Sequence, residues 1–86
     1  MNITLADHVS VVPGEDGSSV VLDQRNGRYW QLNATGAMIL RLLLRERNTR
    51  DTVRALVERH PTAAERIPGD VETLLATLRE RGLVTV

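Results

Sequence analysis

"VVLDQRNGRYWQLNATGAMILRLL", residues 20–43, changes its periodicity at one residue. Up to Leu32 it is a run of β-branched, aromatic and apolar residues broken by Asn26-Gly27, the signature of two strands joined by a tight loop. From Ala34 onward Ala, Met, Leu and Ile fill nearly the whole circumference of a helix, which predicts a central, mostly buried helix over about 34–45. Asn33 sits at the junction. Its side-chain oxygen suits an N-cap, because it can accept the backbone N–H groups that the first helical turn leaves without partners.

The register of the hairpin follows from which pairing makes an apolar face. A two-residue turn on Asn26-Gly27 sets Leu22 against Gln31 and Val21 against Leu32, mixing polar and apolar partners. A three-residue loop, Arg25–Gly27 with Gly27 left-handed, sets Leu22 against Trp30 and Val20 against Leu32. We therefore expect Val20, Leu22, Trp30 and Leu32 on the core face, and Val21, Asp23, Tyr29 and Gln31 on the other. Trp30 then looks toward the helices and Tyr29 away from them.

Upstream, "HVSVV" (8–12) and "SVVLD" (19–23) flank the turn formers "PGEDGS", giving a further hairpin. Downstream, Asn48 or Thr49 caps a helix over about 50–60, with Asp51 near its positive end and Val53, Leu56 and Val57 on one stripe. His60-Pro61 stops that helix, and "TAAERI" is a connector. A last helix spans Asp70 to Arg81, with Val71, Leu74, Leu75 and Leu78 at helical spacing, Gly82 as terminator and "LVTV" as a short extended tail. The expectation is one α+β domain over residues 1–86, a three-stranded antiparallel sheet followed by three helices packed on one face.

Composition narrows the chemistry. Eleven Arg and no Lys balance eleven acidic residues, so bulk charge attracts neither nucleic acid nor an anionic membrane. There is no cysteine, which excludes disulfides, thiol catalysis and thiolate metal sites, and no segment approaches the roughly 20 apolar residues of a membrane span. We expect a soluble, cytoplasmic protein with no cofactor and no metal. No nucleophile with a base and no phosphate-cradling glycine loop is present, so the chain reads as a non-enzyme. His8 and His60 read as surface histidines, and "PGEDG" lacks the length and alternating donors of a calcium loop. Arg41, Arg45, Arg47 and Arg50 cluster near a helix end, where a solvated face accounts for them.

Trp30 is the one large ring in an aliphatic core and could be no more than a filler. Topology suggests more. In a meander the third strand, Arg28 to Leu32, is an outer edge with unpaired backbone groups, and "RYWQL" holds no Pro and only Arg28 as a guard. An extended peptide could add to that edge and drop alternate side chains into a trough beside Trp30.

The run quoted above, its "GRYWQLNATG" portion in particular, together with the closing "DVETLLATLRERGLV" (70–84), resembles the PqqD-like family of small leader-peptide-binding proteins, and more narrowly its stand-alone recognition elements in lasso-peptide biosynthesis. The resemblance covers nearly the whole chain. It implies a winged helix-turn-helix-like fold without catalytic residues. It further implies binding of the leader of a ribosomally made precursor as an extra strand on Arg28, Tyr29, Trp30, Gln31 and Leu32, against the last helix. Helical spacing leaves open which of Leu74, Leu75, Thr77 and Leu78 face the peptide. Leu74 and Leu78 are the preferred pair, with Asp70 and Arg81 supplying charge at the two ends. The implied second partner is a separate leader peptidase, a cysteine protease acting in trans, because no protease region is joined to this chain. A winged-helix DNA reader has the same order of elements, but its recognition helix would carry Arg79 and Arg81 against Asp70, Glu72 and Glu80, too little net positive charge for a phosphate backbone. An interaction domain for a protein partner, with no leader involved, is the third reading.

Overall fold

The computed structural model describes residues 2–86. Strands β2 (Val9–Pro13), β3 (Ser19–Asp23) and β4 (Arg28–Leu32) form an antiparallel sheet in the order β2-β3-β4, and helices α1 (Ala34–Glu46), α2 (Thr49–Arg59) and α3 (Ile67–Glu80) follow. This is the expected α+β arrangement. A second, two-stranded sheet joins the ends of the chain: β1 (Thr4–Leu5) pairs antiparallel with β5 (Val84–Thr85). The closing tail is thus a strand, and its partner β1 is too short to leave a periodic trace in the sequence. Ile3, Ala6, Leu83 and Val84 are buried around this pair and close one side of the core.

Asn33 caps α1 by accepting the Gly36 N–H at 2.8 Å, and Asn48 caps α2 by accepting the Asp51 N–H at 2.8 Å. Each cap satisfies a donor that the helix itself cannot, worth about 1 kcal/mol. α1 buries Ala37, Ile39, Leu40, Leu42 and Leu43, as its apolar circumference requires. On α2 the buried pair is Thr52 and Leu56, one helical turn apart, with Val53 and Val57 half-buried beside them. The Thr52 hydroxyl is satisfied by donating to the Asn48 carbonyl at 2.7 Å.

A 3₁₀ turn at Pro61–Ala63 follows α2, and α3 starts at Ile67, three residues before the position expected from sequence. Pro68 falls in its first turn, where its missing N–H has no intrahelical acceptor to lose. At the other end Gly82, at φ 69°, reverses the chain, and the Leu83 N–H donates to the Leu78 carbonyl at 2.9 Å. That i to i−5 bond and the left-handed glycine form a Schellman terminus.

The second hairpin differs from expectation. Asp23 pairs with Arg28, Leu22 with Tyr29, Val21 with Trp30 and Val20 with Gln31, so the loop has four residues, Gln24–Gly27, and the register is shifted by one. The cause is Asp23. One carboxylate oxygen accepts the N–H groups of Arg25 at 3.1 Å and Asn26 at 3.2 Å, and the other accepts the Asn26 side-chain amide at 2.8 Å. A carboxylate so supplied can be buried at 2 % exposure without leaving a polar group unsatisfied. The inner face of the sheet is therefore Ser19, Val21 and Asp23 beside Arg28, Trp30 and Leu32, whereas Val20 and Leu22 lie on the outer face with Tyr29 and Gln31. Trp30 does pack against the core and Tyr29 is 70 % exposed, as expected.

Candidate functional site: the β4 edge beside helix α3

β4 hydrogen-bonds to β3 on one side, and among the described residues no strand lies on the other. Its outward N–H and C=O groups are a template for a further strand. β2 is the opposite edge of the sheet, but it ends in Pro13, which has no N–H to offer.

α3 reaches β4 through its C-terminal end. Arg81, the residue that ends α3, lays its guanidinium over the Trp30 ring, 5.1 Å from the ring centroid, a cation–π distance. Gly27, Arg28, Tyr29, Trp30 and Arg81 line a shallow depression there of about 360 Å³. A second depression, about 370 Å³, lies where α1 begins beside α3, with Asn33, Gly36, Ile39, Leu74 and Thr77 in its walls and Asp70 at its end. Asp70 is neutralised by Arg66, whose Nε is 3.4 Å from its carboxylate.

These contacts sort the candidate residues. Arg28, Trp30 and Leu32 share the helix-facing side of β4, and Tyr29 and Gln31 the other. Leu74 and Thr77 line the second depression, and Asp70 and Arg81 stand toward opposite ends of α3. Leu78 does not join them. It is 3 % exposed, packed in the core with Val71 and Leu75, because it follows Val71 by two helical turns and Leu75 by three residues on the buried stripe. Leu74 lies one position off that stripe and is half-buried.

Two features escaped the sequence. The start of α1 supplies a wall of the groove through Asn33, Thr35 and Ile39; the signal was the Asn33 cap, which turns the chain back at the end of β4. And His8, distant in sequence from any candidate partner, has its Nε2 3.7 Å from the Asp23 carboxylate. Hydrogen bonding, first from the Asn26 side chain and then from the loop N–H groups, holds the Asp23 carboxyl below the usual carboxylate value, and the His8 ring adds to this.

Comparison with known proteins places this geometry. No curated protein matches the chain. A solved structure described as lasso peptide synthetase B1 complexed with the leader peptide is 30 % identical and superposes with a TM-score of 0.85 over 100 % of both chains. Another, TbiB1 in complex with the TbiA(beta) leader peptide, is 23 % identical with a TM-score of 0.82, covering 94 % of this chain and 93 % of that one, and shares the fold. Residues 18–84, from the start of the sheet's second strand to the last strand, match the family model of coenzyme PQQ synthesis protein D, and the chain belongs to that PqqD family.

Proposed function

We propose that this protein is a non-catalytic adaptor that binds the leader segment of a ribosomally synthesised precursor peptide and delivers it to a separate leader peptidase in lasso-peptide biosynthesis. The leader adds as a strand to β4, with alternate side chains entering the groove between β4 and α3 and the others pointing out beside Tyr29 and Gln31. The contact residues are Arg28 to Leu32 on the strand, with Asp70, Leu74, Thr77 and Arg81 on the helix. The observation that carries this reading is an edge strand whose unpaired side faces a cleft holding the only tryptophan of the chain. It is supported by the 30 % identity, over the whole chain, to a protein solved with a leader peptide.

Trp30 reports on its own site. Titration with the synthetic leader of a lasso precursor from the same gene neighbourhood should give a saturable change in Trp30 fluorescence, with micromolar or tighter affinity, about 8 kcal/mol. Absence of both a fluorescence change and calorimetric heat refutes the reading.

A further inference from the structure

The two depressions beside α3 differ in charge. At the Asp70 end the carboxylate is already paired with Arg66 at 3.4 Å. At the other end stand two arginines, Arg28 and Arg81, and among the described residues neither has a carboxylate oxygen within 4.0 Å: the ion pairs are made by Arg45, Arg50, Arg54, Arg66 and His8. The acid that faces Arg28 across the ladder is Asp23, and the Gln24–Gly27 loop has taken its oxygens.

The two cations are also placed. Arg28 is two residues before Trp30, so both side chains leave the same face of β4 about 7 Å apart. Arg81 reaches the same spot from α3, held over the Trp30 ring, and all three line one depression. Stacking restrains the Arg81 guanidinium and leaves its N–H donors at the rim, so less rotamer freedom is lost when an anion arrives.

We propose that the depression lined by Arg28, Trp30 and Arg81 binds a side-chain carboxylate of the incoming peptide, so that an Asp or Glu two positions from the apolar anchor beside Trp30 is part of what the protein recognises. This rests on the reading of β4 as the leader-docking edge. Two residues of extended peptide advance about 7 Å, the step from Trp30 to Arg28, and return to the same strand face. A carboxylate there meets one or two guanidinium groups, and hydrogen bonds between ionised partners are roughly twice as strong as neutral ones.

The test is selection of displayed random peptides, roughly 14 residues long so that they overrun the strand at both ends, on the full chain as wild type, Arg28→Glu and Arg81→Glu. Circular dichroism melts check each fold; Arg28 is exposed, so its variant keeps the experiment informative if Arg81→Glu loosens the Trp30 packing. The wild type should enrich Asp or Glu two positions from an apolar anchor, and Arg28→Glu should enrich Lys or Arg there. Replacing that acid by its amide should weaken wild-type binding about five- to tenfold. Anchored peptides that are neutral at that position, or acidic peptides that bind Arg28→Glu as well as wild type, overturn the carboxylate site while leaving the docking edge standing. Selection of no peptide by any of the three proteins removes the docking edge, and the carboxylate site with it.

Discussion

Leu74 and Leu78 lie four residues apart on α3, and truncating each to alanine should have opposite consequences. Leu78 is 3 % exposed amid Val71, Leu75 and the α1 leucines. Removing its isopropyl group loses the transfer energy of the buried atoms and leaves a void in an aliphatic core with no phenylalanine to shift into it, together about 3 kcal/mol. An 86-residue chain has only about 4–13 kcal/mol of total stability, so Leu78→Ala should lower Tm by roughly 12–24 °C. Leu74 is half-buried and lines the depression beside Thr77. Leu74→Ala should cost about 1 kcal/mol or less in stability, yet weaken leader binding about 5- to 30-fold, because it removes an apolar wall of the proposed docking site. Thermal denaturation by circular dichroism and a Trp30 fluorescence titration separate the two effects. The reasoning fails if Leu78→Ala melts within a few degrees of wild type, or if Leu74→Ala destabilises strongly and leaves the affinity of the folded fraction unchanged.

Two further expectations concern a loop carboxylate and a helix end. Asp23 has its folded-state pKa held below 3.8 by the hydrogen bonds of its loop, so its stabilising contribution is present above the unfolded value and is lost as pH falls through the folded value. Asp23→Asn should therefore lose less stability than wild type between about pH 5 and 2, and parallel Tm-versus-pH curves would disprove it. Arg47 ends α1 at φ 67°, a left-handed conformation unusual for an arginine, and its side chain is exposed. Arg47→Gly should relieve the strain and raise stability by about 0.5–1 kcal/mol, net of the extra freedom glycine gives the unfolded chain. Chemical denaturation that shows a loss instead would mean that the arginine side chain stabilises the terminus.

What the sequence made legible was whatever local chemistry decides. Asn33 and Asn48 cap their helices because an amide at the start of a helix finds the same backbone donors wherever the helix sits. Trp30 faces inward and Tyr29 outward because the strand alternates and only one of the two rings can be packed. The register of β3 against β4 departs from the one hydrophobic pairing alone would set, because Asp23 is a carboxylate that organises its own loop. Once Asp23 is supplied with three donors it can face inward, and β3 turns Val20 and Leu22 outward. The placement of Leu78 in the core needed the rotation of α3, which its leucines alone do not set, since Leu74, Leu75 and Leu78 together span more of the helix than one buried stripe. β1 and β5 were beyond reach for a different reason: a two-residue pair between the chain's ends is a product of the finished fold.

An open edge must also avoid its own copies, and the same arginines bear on that. Two β4 strands pairing antiparallel about Trp30 would bring the two tryptophans opposite each other. Each tryptophan carries an Arg81 guanidinium 5.1 Å from its ring centroid, so two cations would meet at the junction, with an Arg28 about 7 Å to either side of it, opposite Leu32 of the other copy. Like charges brought together across a partly desolvated contact oppose association. An acidic peptide on the same edge meets the reverse situation, since its carboxylate neutralises what a second copy would double. Lacking lysine altogether, the chain has only arginine to guard this edge. A guanidinium stacked on an indole discourages the wrong strand by its charge while its N–H donors remain available to the right one.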